Sequence, residues 1–310
     1  MQIAIIGAGA MGSLFGAMLS AVADVCLIDP FEAHVRTISE KGLLVEKPDG
    51  ASARYSLFAT TNPEDLETKA DLAIIFTKSY KTETAAKTAK PLLKPDGLAL
   101  TLQNGLGNLE MISEVLGRER SVAGVTSHGG TLVGPGHVRH AGEGPTYIAD
   151  DPRNSLALKR IAKTFDAAGI LTSLAENLDT LIWGKLVINV GINALAAILR
   201  VPNGVVGMTS SCRKIMANAV AEAENVAHGL GIELPYERPL NQVIKVCGNT
   251  AGNRASMLQD ILRGARTEVD VINRAIVRKG KVLGIATPCN EFLSEMIEAL
   301  EATSGERVET

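Results

Sequence analysis

Several features that would assign a function quickly are scarce in this sequence. Its 310 residues contain 31 lysines and arginines against 34 aspartates and glutamates, and a chain without a basic excess is not expected to bind nucleic acid. The four cysteines (Cys26, Cys212, Cys247 and Cys289) form no CxxC pair, which predicts neither a zinc site nor a disulfide framework. No uninterrupted run of about 18 apolar residues occurs, and no signal-peptide pattern opens the chain. We therefore expect a cytoplasmic protein with no membrane partner and no bound metal.

Apolar residues make up 46% of the chain, and its length is sufficient for two domains with separate cores. Short β-branched runs alternate with helical patterns through the first part of the sequence. From about Glu176 onward only helical patterns remain. We predict an α/β domain over residues 1–175 and an all-α domain over residues 176–310.

A glycine-rich turn joins the first predicted strand, Gln2–Ile6, to the first predicted helix. The turn reads Gly7, Ala8, Gly9, Ala10, Met11 and Gly12. Between a strand and a helix, GxGxxG is the fingerprint of a dinucleotide site, because the glycines permit a tight turn, close approach of a pyrophosphate and tight helix packing. The free N–H groups of the helix N-terminus also favour phosphate. The pattern predicts a Rossmann-type domain that binds NAD(P) through this turn.

Polar residues also follow several later strands. Asp29 ends the second strand, about 20 residues past the first glycine, where an acid that binds the adenosine ribose belongs. Lys78 and Asn104 follow two further strands, and ligands bind beyond the carboxyl ends of strands in such sheets. A solvated loop lysine and an ordinary turn are the alternatives for these two residues. His128 follows another strand with no carboxylate nearby in sequence, so both a structural and a catalytic role stay open.

Two smaller strand groups complete the predicted α/β domain. Leu43–Val45 and Tyr55–Ala59 flank a Pro-Asp-Gly turn, which predicts a hairpin. Thr131–Val133, Val138–His140 and Thr146–Ile148 are separated by glycines. We expect these three segments to extend the main sheet with antiparallel strands.

One apolar helix, predicted over residues 177–199, carries a polar stripe. Lys185, Asn189 and Asn193 are spaced at i, i+4 and i+8, so they share one face, while most of the remaining circumference is apolar. A helix of this kind is buried, and a buried lysine requires a partner. The stripe either pairs with another segment for stability or forms the polar wall of a ligand cleft.

Two later segments have ordinary explanations when taken alone. Asn253 and Ser256 precede or open the predicted helix Ser256–Leu262, as N-capping residues do. Glu268 starts the predicted helix Glu268–Leu283, where the helix dipole favours an acid.

The order of these motifs carries more information than any one of them. Six motifs follow one another along the chain: GxGAMG, Thr-Lys-Ser, Gln-Asn-Gly, Trp-x-Lys-x-x-x-Asn-x-x-x-Asn, Ser-Met-Leu-Gln-Asp and Thr-Glu-Val-Asp-x-Ile-Asn. In this order they resemble the ketopantoate reductase (2-dehydropantoate 2-reductase) family over essentially the whole chain. The resemblance implies a Rossmann domain and a helical domain, like that of 6-phosphogluconate dehydrogenase, around a substrate cleft. It also implies NADPH-dependent reduction of ketopantoate to pantoate, on the route to pantothenate and coenzyme A.

The resemblance implies roles for individual residues. Lys185 is the implied catalytic general acid, with Glu268 as a second functional residue, and Lys78 and Asn104 lie around the nicotinamide ribose and active site. Substrate contacts are implied for Asn189, Asn193, Asn253 and Ser256. A lysine, with an ordinary pKa of about 10.4, is protonated at neutral pH and suits an acid that protonates the developing alkoxide. This chemistry needs no metal.

Four questions stay open at this point: the cofactor, the substrate, the class of protein and the oligomeric state. The family often places an arginine after the second strand to bind the 2′-phosphate of NADPH, whereas Asp29 stands here and favours NADH. The small-molecule substrate could be another 2-oxo acid, handled by a related reductase or 2-hydroxy acid dehydrogenase. A non-catalytic NAD(P)-binding redox sensor is the alternative of another class, although it would need neither Lys185 nor Glu268. The oligomeric state, a homodimer included, is undetermined.

Overall fold

Strands and helices alternate through the first 178 residues of the computed structural model, which describes residues 1–306. The strands are β1 (Gln2–Ile6), β2 (Asp24–Ile28), β3 (Leu43–Glu46), β4 (Ser52–Tyr55), β5 (Phe58–Thr60), β6 (Ala70–Ile75), β7 (Leu93–Thr101), β8 (Ser121–Thr126), β9 (Gly129–Gly134), β10 (His137–Gly142), β11 (Thr146–Ala149) and β12 (Thr172–Ala175). The helices are α1 (Ala10–Leu19), α2 (Glu32–Lys41), α3 (Thr82–Leu92), α4 (Asn108–Leu116) and α5 (Ser155–Ala167). Residues 1–103 and 107–178 form one compact unit.

Eight of these strands form the main sheet, in the order β12-β11-β8-β7-β6-β1-β2-β5. All neighbouring pairs are parallel except β8 and β11. Ile5, Ile74 and Leu100, on three adjacent strands, are fully buried. Such β-branched and aliphatic runs are typical of strands that are covered on both faces. The predicted Rossmann-type sheet is therefore confirmed.

The prediction that three segments extend this sheet is wrong for two of them. β9 and β10 belong to a separate four-stranded sheet with the order β4-β3-β10-β9, and only β11 joins the main sheet, antiparallel to β8. In the small sheet β10 pairs in parallel with β3, about 90 residues earlier in the chain. Each strand has the same local pattern in either sheet, so the sequence does not specify which partner it takes.

The predicted hairpin is correct in its first half only. β3 and β4 are antiparallel, as expected, with Leu43 opposite Tyr55. The chain then leaves this small sheet, and β5 pairs in parallel with β2 at the edge of the main sheet. The segment predicted as one strand over residues 55–59 is thus divided between two sheets.

Among the described residues, the second unit consists of residues 104–106 and 179–306. Its helices are α6 (Leu178–Leu199), α7 (Asn203–Met208), α8 (Ser210–Gly229), α9 (Pro239–Asn249), α10 (Ser256–Leu262), α11 (Asn273–Leu283) and α12 (Pro288–Ala302). Residues 179–306 contain no strand, which agrees with the predicted all-α domain. The short helix α7, which begins directly after Pro202, was not predicted.

The prediction of one continuous helix over Glu268–Leu283 is wrong. A single 3₁₀ turn covers residues 269–271, Ile272 leaves helical geometry with φ −108° and ψ −94°, and α11 begins at Asn273. A regular helix would separate Val269 and Val271 by about 200° around its axis, yet both are buried here. The break thus lies next to two buried valines, and no described side chain caps α11 at Ile272.

The apolar helix α6 forms the core of the second unit. Leu186, Val187 and Val190 are almost completely buried, which confirms the predicted buried helix. By length and composition alone the helix could cross a membrane, but 67% of its apolar window is buried inside the protein. A Cβ at Gly191 would lie 2.8 Å from Val243 Cγ1 on α9, so glycine allows these two helices to approach closely.

Candidate active site

The glycine turn after β1 has the geometry of a phosphate cradle. Gly7 has φ +95°, and a Cβ there would lie 2.6 Å from the backbone nitrogen of Thr77. A Cβ at Gly12 would lie 2.0 Å from the carbonyl oxygen of Gly7. By contrast, no atom lies within 4 Å of the corresponding position at Gly9, the N-cap of α1. Two glycines thus allow close packing and the third leaves open backbone at a helix N-terminus, which fits a dinucleotide pyrophosphate.

Ser13 lies one residue beyond this fingerprint and was missed in the sequence analysis. Its backbone N–H donates to the Gly9 carbonyl at 2.9 Å, and its hydroxyl donates to the Ala8 carbonyl at 2.7 Å. Ser13 therefore holds two consecutive carbonyl groups of the turn. A small polar residue directly after the last glycine was the available signal.

Asp29 follows β2, as predicted. One of its carboxylate oxygens, Oδ1, accepts a hydrogen bond from the Phe31 N–H at 2.9 Å, and its own N–H donates to the Thr60 carbonyl. The side chain is thus folded over the turn that follows the strand. Within residues 1–306 the other carboxylate oxygen makes no hydrogen bond, so Asp29 retains capacity to accept one from a ligand.

The ends of β6 and β7 are joined by Gln103, a residue whose role was not predicted. Its Nε2 group donates to the Thr77 carbonyl at 2.7 Å and to the Thr82 hydroxyl at 2.9 Å, while its Oε1 accepts from the Thr101 hydroxyl. Lys78 follows Thr77 directly and is partly buried. Gln103 therefore fixes the backbone next to Lys78.

Asn104 was predicted to lie beyond the end of a strand, and the structure packs it with the helical unit. Residues 104–106 belong to that unit, where the Leu106 N–H donates to the Val271 carbonyl at 3.0 Å. Gly105 has φ +82°, and a Cβ there would lie 2.5 Å from the same carbonyl oxygen. Asn104 is thereby held close to the segment that carries Glu268.

Lys185 and Glu268 interact within the helical unit. Lys185 lies on α6 and is partly buried, while Glu268 is 7% exposed. Loss of hydration lowers the pKa of Lys185 to about 8, and the nearby Glu268 carboxylate opposes part of that change. The pair therefore combines an ammonium group of unusual acidity with a carboxylate that favours its charged form.

Four further polar residues of this unit were predicted as substrate contacts. Asn189 and Asn193 share the Lys185 face of α6, and Asn193 is only 5% exposed. The capping interpretation of Asn253 and Ser256 is wrong, because Ala255 is the N-cap of α10 and no side chain caps that helix. The amide and hydroxyl groups of these four side chains can both donate and accept hydrogen bonds.

His128 lies in a buried histidine pair. Its Nδ1 is 3.0 Å from Nε2 of His140, and its ring packs edge-on against Phe15 of α1. Burial and the neighbouring His140 lower the pKa of His128. These contacts favour the structural role over the catalytic one. Residues 1–306 contain no group of three or more side chains suited to holding a metal ion.

The chain combines a doubly wound sheet, whose glycine turn is suited to phosphate, with a helical unit that carries a lysine–glutamate pair. This combination is typical of an NAD(P)-dependent oxidoreductase. Comparison with family models gives the group more closely. The ketopantoate reductase PanE/ApbA model matches residues 3–153, and the model of the ketopantoate reductase C-terminal domain matches residues 177–301. The chain belongs to the ketopantoate reductase family.

Individual relatives agree with this assignment. The 2-dehydropantoate 2-reductase of Pyrococcus horikoshii is 36% identical, over 98% of this chain and 99% of that protein. A family member from Ralstonia eutropha has a crystal structure with a TM-score of 0.90 and 32% identity, covering 98% of this chain and 100% of that one. D-mandelate dehydrogenase, solved with NADH and anilino(oxo)acetate, has a TM-score of 0.88 and 34% identity over 98% and 100% of the two chains.

The electrostatic coupling of Lys185 and Glu268 can be tested directly. We expect Glu268→Gln to lower the pKa of Lys185 further below its parent value of about 8, because the substitution removes the charge that raises it. The measurement is the pH dependence of Lys185 acetylation, followed by peptide mass spectrometry. Glu237→Gln, at an exposed site of the same unit, is the control and should leave the profile unchanged. An identical Lys185 profile in the Glu268 variant would contradict the pairing.

Proposed function

We propose that the protein reduces 2-dehydropantoate to pantoate with NAD(P)H, a step in pantothenate and coenzyme A biosynthesis. The observation that carries the proposal is the Lys185–Glu268 pair, which lies in the part of the chain that matches the family's C-terminal model. Its partner is then a small 2-oxo acid rather than a nucleic acid or a membrane. Cytoplasmic location and a homodimer stay predictions.

Lys185 is the proposed general acid. When bound, a reduced nicotinamide would supply a hydride to the ketone carbon, and negative charge would develop on the ketone oxygen. An ammonium group within hydrogen-bond reach stabilises that charge and donates the proton. With its pKa lowered to about 8, Lys185 is still mostly protonated at neutral pH and releases its proton more readily than an ordinary lysine. Glu268 favours the charged form of Lys185 in the buried site.

Substrate binding is assigned to the four polar side chains of the helical unit, Asn189, Asn193, Asn253 and Ser256. Their amide N–H and hydroxyl groups can donate to the carboxylate and hydroxyl oxygens of a 2-oxo acid. The position of Asn193 supports this role, because it is only 5% exposed and lies on the same helix face as Lys185.

The cofactor is assigned to residues at the ends of four strands. The turn Gly7–Gly12 would hold the pyrophosphate at the N-terminus of α1, and Asp29 would accept from the adenosine ribose. Lys78 and Asn104 would lie near the nicotinamide end. Family membership favours NADPH, whereas the Asp29 carboxylate favours NADH because it would repel a 2′-phosphate.

A second candidate is the reduction of a different 2-oxo acid. It is favoured by the likeness to D-mandelate dehydrogenase, whose identity to this chain, 34%, is as high as that of the ketopantoate reductase structures. Lys185 and Glu268 would serve the same chemistry there, and only the side chains around the rest of the substrate would differ.

The two candidates are separated by a substrate panel. We expect kcat/KM for ketopantoate to exceed that for phenylglyoxylate and simple aliphatic 2-oxo acids by more than about tenfold, as substrate-specific contacts typically allow. The measurement is oxidation of NADPH and of NADH, followed by absorbance. A preference for an aryl 2-oxo acid would favour the second candidate, and no turnover of any 2-oxo acid would contradict both.

The role of Lys185 leads to a mutational and a pH prediction. Lys185→Ala should lower kcat by roughly 10²- to 10⁴-fold, as loss of a positioned acid does, while dinucleotide affinity is retained. In the parent, the reductive rate should fall as pH rises through about 8, because the protonated ammonium is the active form. Lys214→Ala, at an exposed site on α8, is the control. Near-parent activity of the Lys185 variant would exclude this mechanism.

Asp29 determines the cofactor prediction. If its carboxylate binds the ribose, NADH is used well and Asp29→Ala should shift the ratio of kcat/KM toward NADPH, since the substitution removes a negative charge next to the 2′ position. The measurement is this ratio in the parent and in the variant. A parent that strongly prefers NADPH, with a ratio that the substitution does not change, would show that Asp29 does not contact the ribose.

A further inference from the structure

A buried histidine is connected to the glycine turn through Ser13. His34 lies on α2, is 1% exposed, and its Nε2 is 3.0 Å from the Ser13 hydroxyl oxygen. Its Nδ1 accepts a hydrogen bond from the Gly136 N–H at 2.9 Å. The Ser13 hydroxyl in turn donates to the Ala8 carbonyl. Three buried hydrogen bonds thus lead from the turn between β9 and β10, through α2 and α1, to the glycine turn.

The donors and acceptors of this chain of bonds are fully determined. A backbone N–H can only donate, so Nδ1 of His34 carries no proton, and a carbonyl can only accept, so the Ser13 proton points to Ala8. The neutral imidazole therefore carries its proton on Nε2 and donates it to Ser13. Burial lowers the pKa of His34. The nearby Asp29 charge and the Ala8 backbone oppose this change, but the net effect favours the neutral ring.

Gly136, which donates to His34 at one end of this series of hydrogen bonds, is held rigidly. Gly136 has φ +68°, and a Cβ there would lie 2.4 Å from Thr37 Cγ2 on α2, so only glycine can pack at this point. Its carbonyl accepts from the Leu44 N–H of β3 at 2.9 Å. The small sheet thereby fixes the donor that selects the His34 tautomer.

At the near end, Ser13 sets the direction of two peptide groups. A peptide bond is planar and trans, so its N–H points opposite to its C=O. The carbonyls of Ala8 and Gly9 are both directed at Ser13. The N–H groups of Gly9 and Ala10, on the same peptide planes, therefore point away from Ser13, in the direction in which a helix N-terminus presents donors to phosphate.

We propose that His34 is a positioning residue for the dinucleotide site: by donating to the Ser13 hydroxyl it helps to fix the Ala8–Gly9 peptide group of the glycine turn in the orientation that binds the pyrophosphate. The inference rests on the dinucleotide site of the proposed function. His34 itself does not contact the ligand, and its ring is further held by a parallel contact with Phe31, at 6.1 Å between centroids.

Two polar substitutions of His34 test its hydrogen bonds to Ser13 and to Gly136 separately. His34→Gln places an amide at the position of Nε2 and keeps a donor for Ser13, whereas His34→Asn places one at the position of Nδ1 and leaves Ser13 without its donor. Ser13→Ala removes the bond to Ala8. Ser20→Ala is the matched control, because Ser20 is the C-cap of the same helix and its hydroxyl donates to the Ala17 carbonyl, at the opposite end from the glycine turn.

The measurements are the Kd values of NADPH and NADH, from the change in nicotinamide fluorescence, together with Tm without ligand. We expect Ser13→Ala and His34→Asn each to weaken binding by roughly three- to tenfold, the effect of losing one neutral hydrogen bond. His34→Gln and Ser20→Ala should bind nearly as the parent does. The double variant Ser13→Ala/His34→Asn should bind no more weakly than the weaker single variant, because both residues act through one path.

Several results would overturn the inference. A lower Tm for His34→Asn with an unchanged Kd would make His34 a purely structural residue, and fully additive losses in the double variant would break the connection between His34 and Ser13. A His34→Gln variant as weak as His34→Asn would exclude donation to Ser13 as the cause. A parent that binds neither dinucleotide would overturn the proposed function itself, which is a distinct outcome.

Discussion

An ammonium group on an otherwise apolar buried helix is the constraint on which the helical unit depends. α6 lies in the core because most of its surface is apolar, and this partly buries Lys185 and lowers its pKa. A charge in that position is stable only beside an opposite charge, which Glu268 provides. The break in the helix after Glu268 also frees the Val271 carbonyl to accept from the Leu106 N–H, which brings residues 104–106 into the same unit.

In the α/β unit, the structure depends instead on the close approach of backbone segments at the glycine turn. Gly7 and Gly12 allow the turn to pack where any side chain would collide, and Gly9 keeps the helix N-terminus accessible. The Ser13 hydroxyl, which lies within hydrogen-bond distance of His34, then orients the Ala8 carbonyl of that turn. The phosphate-binding geometry therefore depends on buried neutral hydrogen bonds as well as on the glycines themselves, and such bonds are strongly directional in a desolvated interior.

The glycine turn of the α/β unit and the Lys185–Glu268 pair of the helical unit are compatible with more than one substrate. Hydride transfer to a 2-oxo acid needs a held dinucleotide and a nearby acid, and neither requirement depends on the substituent beyond the ketone. That a ketopantoate reductase and a D-mandelate dehydrogenase match this chain at TM-scores of 0.90 and 0.88 agrees with this division. Discrimination between substrates then depends on the side chains around the remainder of the molecule, where a hydroxyl or an aromatic ring must be accommodated.

By itself the sequence determined the features that depend on local spacing. Four such features could be predicted from it: the glycine turn between β1 and α1, Asp29 at the end of β2, the helix face shared by Lys185, Asn189 and Asn193, and the change from mixed to helical structure. These patterns are local because side-chain periodicity and glycine geometry act over a few residues.

Only the tertiary structure decided which distant segments meet. Four features were not predicted: the parallel pairing of β3 with β10, the packing of residues 104–106 with the helical unit, the helix break at Ile272 and the hydrogen bonds of His34. Each joins residues far apart in the chain, or depends on burial from several sides at once. The physical reason is that a residue's local pattern specifies which face it presents, whereas its partner is selected by the packing of the whole unit.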